Sequence, residues 1–370
     1  MVFEDIRADR LDQKHMPSAA ALAAKGVRFD HAYSQAPNTP RSFPSFLTGR
    51  LPSQVRWATK NANFPPVIPK SAGGDPTFFE ELAQAGLEPI GVFSHFYLKP
   101  ENGIAGGFNH WENAGALTLH DSNTDIAAPR ITARVVEQLK ALGKSKQRFA
   151  LWTHLFEPHS RYMDQPEFPS HGSGMKALEE KYDGEVAFAD KHVGTMLAAL
   201  EAAGLADSTV VVLMSDHGEA FGEHRFAGER MFFHGQTIYD ELLRVPLVVR
   251  VPGVAPATVS MPMMLIDLAP TLLDLVGRDA PSSMQGRSLV PAMLGQPMKP
   301  EPVFAEMLLA PSWQHKWRAV VADGWKLLDK QSEGSVELYN VAEDPTEQKN
   351  LADAEPARVS ALRELLTRGP

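Results

Sequence analysis

The sequence predicts an α/β protein, with a mainly parallel sheet sandwiched by helices and a small C-terminal antiparallel sheet plus helix. Three observations carry this. Short apolar runs alternate with helical stretches of roughly ten or more residues. Polar residues able to do chemistry recur just after those runs, where open parallel sheets place their ligands. After about residue 295 the rhythm changes to strands joined by turns. The expected division is therefore residues 1–295 and residues 296–370.

Val2-Phe3 reads as the tail of a strand with almost nothing before it. Central strands are usually longer, so either the first strand is very short or the start is shortened. Pro17–Lys25 is a helix with Pro in its first turn and Gly26 as its stop, and Val27–Phe29 is a short strand. Asn61–Asp75 is Pro/Gly-rich and reads as a surface loop. Thr77–Ala85 is a helix ended by Gly86, and Pro89–Phe93 a strand. Ile126–Leu142 is a helix and Phe149–Phe156 a buried strand. Ala177–Ala203 is the longest helix, its apolar Val186, Val193, Leu197 and Leu200 recurring at helical spacing. Ser208–Met214 and Pro246–Val251 are β-branched strands of the same sheet. Val303–Met307, Arg318–Asp329 and Val336–Val341 are strands, with a turn at Asp323-Gly324, and Pro356–Thr367 is a closing helix.

Composition narrows the function. With 44% apolar and 22% charged residues the chain is an ordinary globular one, not a disordered or collagenous one. No apolar run reaches the roughly 18 residues of a membrane helix; Met261–Val276 is interrupted by Asp267, Pro270 and Asp274. Charges begin at Glu4, unlike a secretory signal, so a soluble chain is expected. A net charge of −9 without basic clusters argues against nucleic acid as a partner. Zero cysteines remove thiolate metal sites, thiol nucleophiles and any Cys-derived cofactor. The 13 histidines and the carboxylates remain.

Those groups cluster at strand ends. Glu4-Asp5 follow the first strand, Ser94-His95 follow Phe93, His154, Glu157 and His159 lie near the end of the next strand, and Asp216-His217 follow Met214. Asp216-His217-Gly218-Glu219 is either a strand-end turn or a carboxylate–imidazole metal pair suited to Zn or Mn. Glu4-Asp5 offer hard oxygen ligands or simply suit a helix start. In Asn38–Gly49 the prolines fit a loop entering a helix that Gly49 ends. Thr39 then lies at the helix start, as an N-cap or beside free N–H groups that favour an anion. His234 and Glu223-His224 read alone as surface loop residues.

In this order the segments resemble the sulfatase branch of the alkaline phosphatase superfamily. The matching pieces are Ile6–Leu11, Leu47–Arg50, Phe156-Glu157-Pro158-His159, Tyr182–Glu185, Ser215–Glu219, His234-Gly235 leading to Arg244-Val245-Pro246, Leu268–Leu273, and Glu337–Asn340 with Glu343-Asp344-Pro345. The resemblance implies a catalytic domain over residues 1–295 with one divalent metal. Glu4, Asp5, Asp216 and His217 match its ligand pairs, with Thr39 beside the ion. Mn or Zn suits this set better than Ca, because His217 is a nitrogen ligand. His159 matches a residue contacting the transferred group, His234 the basic group on the leaving-group side, and Ser94-His95 falls where the family places Lys and His.

Three positions depart from the family; one is Glu4, where Asp is usual, though it keeps the carboxylate. The family's nucleophile, a Cys or Ser ten residues before the Gly of Leu-Thr-Gly, is Thr39 here, so no formylglycine can form. The Arg four residues further on is Phe43. The resemblance with a Thr nucleophile implies a hydrolase of a small anionic ester, phosphate, phosphonate or sulfate, acting through Thr39, with His159 meeting negative charge and His234 or His95 protonating the leaving oxygen. Transfer to an acceptor alcohol, or a degenerate binder without turnover, are the alternatives. Substrate specificity is assigned to the loops Asn61–Asp75, Tyr97–Asn113 and Ser160–Lys176, which carry no readable code; neither does oligomeric state.

Overall fold

The computed structural model describes residues 1–113 and 125–369. Its main sheet has eight strands. Across the sheet they run Ala257–Val259, Val27–Phe29, Leu247–Arg250, Val211–Ser215, Val2–Phe3, Phe149–Leu155, Glu88–Phe93 and His110–Glu112. From Val211–Ser215 to His110–Glu112 every pairing is parallel. These strands are rich in Val, Leu and Phe because helices cover both faces. Thr39–Thr48, Phe78–Gln84 and Leu268–Leu275 lie in one layer. Pro17–Ala23, Ala128–Ser145 and Met175–Ala202 lie in the other.

The expected elements are present, with instructive shifts. Leu247–Arg250 pairs antiparallel with both neighbours instead of joining the parallel set. A parallel return needs a crossover of a dozen or more residues, usually a helix. Here the chain between them makes the hairpin Ala220–Phe226/Glu229–Phe233 and a helix of four residues, Asp240–Leu243. That hairpin also overturns the loop reading of Glu223-His224. His224 is buried, stacked on Tyr239 at 3.7 Å, with Nδ1 2.9 Å from Glu241 Oε1 and Nε2 3.0 Å from the Glu347 carbonyl. Thr77 proves to be an N-cap in a capping box with Glu80, the helix itself being Phe78–Gln84. In the Asn61–Asp75 loop, Val67 bridges to Trp57 and Asp75 is buried. The first strand is Val2–Phe3 and no more.

Four antiparallel strands, Val303–Met307, Trp317–Ala322, Trp325–Lys330 and Ser335–Asn340, form the C-terminal sheet. Asp323 and Gly324 both take positive φ at its central turn, as Asp-Gly hairpins require. The helix Pro356–Arg368 covers one face, and Tyr33, Leu51, Ile238 and Leu243 share its core from the main body. Among the described residues no helix is long and apolar enough to cross a membrane.

A buried ion triad fixes this sheet on the main body. Lys326 has no exposed surface; its Nζ lies 2.7 Å from Asp240 Oδ1 and 2.9 Å from Glu347 Oε1. Removing the cation strands two carboxylates in a desolvated site. Lys326→Met is expected to cost on the order of 3–5 kcal/mol in urea unfolding at pH 7.5. A loss below about 1 kcal/mol would show that the triad adds little.

Candidate active site

The C-terminal ends of three adjacent parallel strands deliver the site. Val2–Phe3 leads into Glu4-Asp5, Phe149–Leu155 carries His154, and Val211–Ser215 leads into Asp216-His217. Register does the placing, since Val2 stands opposite both His154 and Met214. Side-chain hydroxyls then hold the turns. Ser215 Oγ accepts from the Ile6 N–H at 2.8 Å. Tyr182 donates to the Asp5 carbonyl at 2.9 Å and accepts from the Arg7 N–H at 3.0 Å. Asp5 takes φ +56°, a left-handed conformation that Asp tolerates better than most residues and that functional sites often retain.

Glu4, Asp5, Asp216 and His217 are all fully buried, and one ligand atom from each lies within 4.8 Å of the others. Burial pushes Glu4 up to about 7 and lifts Asp5 and Asp216 well above the usual carboxylate range, neighbouring carboxylates adding to the rise. Both oxygens of Asp5 and Oδ2 of Asp216 have no hydrogen-bond partner.

Thr39 is the first residue of the helix Thr39–Thr48, whose N-cap is Asn38. Its hydroxyl does not cap the helix. It donates to Glu4 Oε1 and lies 3.1 Å from His217 Nε2. The helix start is a poorer anion seat than the sequence suggests. Pro40 has no N–H, and the Arg41 and Ser42 N–H groups both bond the Asn38 carbonyl, leaving the Thr39 N–H. Pro44 inside this helix removes the usual donor to the Pro40 carbonyl, which accepts instead from the Tyr97 hydroxyl at 3.4 Å. Phe43, in the register position of an arginine, is buried among Phe46, Trp152 and His154, with ring centroids 4.9–5.4 Å away. It closes the floor of the site.

The imidazoles are sorted by what their other nitrogen meets. His159 and His217 place Nδ1 2.7 and 3.0 Å from the Ser160 and Gly218 carbonyls. A carbonyl only accepts, so Nδ1 carries the proton and Nε2 a lone pair. Burial, with His234 nearby, pushes His159 down to about 3 and keeps His217 neutral too. His159 thus offers an acceptor where the sequence suggests a donor to negative charge. His95 is the reverse: Nδ1 accepts from the Tyr97 N–H at 3.1 Å, so Nε2–H faces Glu4 Oε2, 3.6 Å away. His234 is the imidazole of this group that is shifted toward the protonated form. Burial opposes its charge, but Glu219 and the other carboxylates outweigh it and raise its pKa. Its Nδ1 lies 3.3 Å from Glu219 Oε1 and from Asp5 Oδ2, so it is no isolated surface residue.

Two functional groups have no role assigned by sequence reasoning. His154 Nε2 sits 2.5 Å from Glu4 Oε2 and takes its second oxygen. Glu219 is fully buried between His234 and the Tyr162 hydroxyl, which donates at 2.5 Å. A polar residue at the end of an otherwise apolar strand was the signal for the first; nothing local singled out the second.

The sequence pattern described as Sulfatase matches residues 2–278. The chain belongs to the sulfatase family. A second pattern, N-sulphoglucosamine sulphohydrolase, C-terminal, matches residues 228–368. A choline-sulfatase of Rhizobium meliloti (strain 1021) is 24% identical over 421 residues, 93% of this chain and 80% of that protein. Among solved structures, a phosphonate monoester hydrolase from Silicibacter pomeroyi superposes with a TM-score of 0.78 at 21% identity, covering 99% of this chain and 93% of that one. A protein solved with its substrate D-glucosamine-2-N,6-O-disulfate gives 0.82 at 19% identity, covering 100% and 96%. Sulfatases are ester hydrolases and metal-dependent, and this chain's buried group fits a cation. Three carboxylates without exposure, two of them with unpartnered oxygens, and an imidazole lone pair are a donor set for a divalent ion.

A metal at about 100 times its Kd is expected to stabilise the fold by about 2.7 kcal/mol. Thermal melts with Mn2+ or Zn2+ should show this, and Asp216→Asn should abolish most of the rise. An equal rise in the variant would remove Asp216 from the ligand set. A second expectation concerns Glu185, buried beneath the His159–Tyr162 loop and accepting the Met163 N–H at 2.8 Å. Burial pushes it from 4.5 up to about 8. The folded chain therefore holds its proton where the unfolded chain has lost it. The resulting stability is full below pH 4.5 and is lost as pH rises through about 8. Glu185→Gln keeps the acceptor without the charge, so its urea midpoint should fall less between pH 5 and pH 9 than that of the parent. Parallel profiles would place the titration elsewhere.

Proposed function

We propose that this chain is a metal-dependent hydrolase of phosphate or phosphonate esters, with Thr39 as nucleophile. The observation that carries the reading is the position of the Thr39 hydroxyl, between Glu4 Oε1 and His217 Nε2 at the centre of the buried ligand group. When bound, a divalent cation supplies positive charge that lowers the pKa of a neighbouring hydroxyl and offsets charge on the transferred group.

The chain's own residues supply the rest. Thr39 Oγ gives up its proton to Glu4 and attacks phosphorus in line, opposite the leaving oxygen. The Oγ–P bond forms as the bond to the leaving oxygen breaks. His234, kept protonated by Glu219, gives its proton to that oxygen. Water then attacks the phosphothreonine: a new P–O bond forms as the Oγ–P bond breaks, His234 takes a proton from the water, and Glu4 returns its proton to Thr39 Oγ. His154 and His95 orient Glu4. His159, with Nε2 as acceptor, suits a protonated oxygen of the transferred group. A phosphate monoester carries one at moderately acid pH, its second pKa lying near 6, whereas a sulfate monoester has none. That, and a side chain at position 39 that cannot become an aldehyde hydrate, favour phosphorus over sulfur. The names of its relatives span both, a choline-sulfatase and a phosphonate monoester hydrolase.

The test is a panel of aryl sulfate, phosphate monoester, phosphate diester and phosphonate ester, with Mn2+ or Zn2+ supplied. Phosphorus esters should be turned over faster. Thr39→Ala should lower kcat by a factor of at least about 10³ with metal still bound, as for loss of a nucleophile, and Thr39→Ser should retain activity. Near-normal rates in Thr39→Ala would reduce Thr39 to a helix residue. Faster aryl sulfate turnover would overturn the choice of phosphorus.

A further inference from the structure

Two rows of rings lead outward from the buried ligand group. One begins at His95, whose Nε2 faces Glu4. Phe96 stacks on His95 with centroids 4.7 Å apart, and Phe64 meets Phe96 edge-on at 4.8 Å. The other begins at His234, with Trp313 beyond it. A Cβ on Gly235 would stand 2.5 Å from Trp313 Nε1, so the indole lies against the bare backbone next to His234. Gly235 also takes φ +87°, which glycine alone adopts freely.

The outer ends of the two rows are tied together. Asn63 Nδ2 donates to Ser312 Oγ at 2.7 Å, and Asn63 Oδ1 accepts from the Ser312 N–H at 2.8 Å. Each partner adjoins an outer ring in sequence, Phe64 on one side and Trp313 on the other. Both segments are held from behind. Arg41, two residues after Thr39, donates to the Lys60 and Ala62 carbonyls at 3.1 and 3.0 Å, its guanidinium lying over the Trp57 ring. Ala310 and Trp313 exchange backbone hydrogen bonds of 2.8 and 3.0 Å. Apolar exposure collects in the same segments. Of the six large apolar side chains exposed among the described residues, three are Phe64, Phe233 and Leu309. Exposed apolar groups gathered beside a polar site mark a binding surface more often than scattered ones do.

Building on the hydrolase reading, which puts His234 at the leaving oxygen, we infer that the two rows flank the leaving-group subsite, that it takes a flat, uncharged aryl group, and that Trp313 selects it. The C-terminal sheet thereby contributes to specificity through the loop between its first two strands. The chemistry of the rows decides the class. Phe64, Phe96 and Trp313 offer ring faces and edges, which reward an aromatic ring beyond its buried area. A sugar would need polar side chains for its hydroxyls, and Asn63 and Ser312 are already spent on each other. An anionic leaving group would lose its hydration against these rings without a counter-charge.

The test is calorimetric binding to the chain supplied with Mn2+. The probes are phosphonic acids whose C–P bond an ester hydrolase does not cleave: benzylphosphonate, propylphosphonate and a glucosylmethylphosphonate. Benzylphosphonate should bind about tenfold more tightly than the propyl compound. Trp313→Ala should bring the two within about twofold, while Trp313→Phe should keep most of the preference. Melting temperatures are compared alongside. If Trp313→Ala does not fold, Trp313→Leu keeps apolar volume without a flat face and takes its place. Equal binding of the benzyl and propyl probes would overturn the inference. So would a benzyl preference that survives loss of the indole. Tighter binding of the glucosyl probe would overturn the aryl class. A ring preference with no ester turned over would fail the hydrolase reading alone, and turnover without ring preference would fail this inference alone.

Discussion

The structure depends on the burial of three carboxylates, Glu4, Asp5 and Asp216, at the ends of two adjacent strands. Charged groups packed this closely and without solvent are unfavourable by many kcal/mol unless protonated or compensated. Much of the nearby architecture can be understood as a response. His154 takes one oxygen of Glu4 and Thr39 the other. The His217 N–H satisfies Asp216 Oδ1. Asp5, with no such partner, sits in a left-handed turn that Tyr182 pins from the long helix Met175–Ala202. Phe43 seals the site from below with an aromatic ring, which deepens the desolvation and strengthens the demand for a cation.

The same burial sorts the histidines. In water all of them would titrate near neutrality; here each is assigned a state by one backbone or carboxylate partner. Carbonyls of Ser160 and Gly218 fix protons on Nδ1 of His159 and His217, and the Tyr97 amide fixes the opposite tautomer of His95. Glu219 raises the pKa of His234 against the effect of burial. One edge of the sheet thus holds several imidazoles in different, fixed hydrogen-bonding states.

The fold was largely legible in the sequence because periodicity and turn chemistry are local. Pro17, Gly49, Asp323-Gly324 and the β-branched run at Val211 are read without knowing their partners. Strand direction was not, because whether Leu247–Arg250 runs with or against its neighbours depends on the connection before it. The acidic and His pairs of the site were visible as strand-end residues. What escaped was pairwise and long-range. The role of His154 depends on Glu4, 150 positions away, and that of Glu219 on His234 across a hairpin. The surface reading of His224 failed for the same reason, since its partners Glu241 and Glu347 come from elsewhere in the chain.

Lys326 illustrates how the C-terminal sheet reaches the His234 side of the buried group. Its two anions are the first residue of the short helix after His234 and a residue beyond the last strand. Neither anion is tolerable without the cation, and the cation is not tolerable without at least one anion. Among relatives, positions 240, 326 and 347 should therefore change together or not at all. A lineage that exchanged the triad for apolar residues would do so in one concerted step, and the helix behind His234 would then be free to move its register.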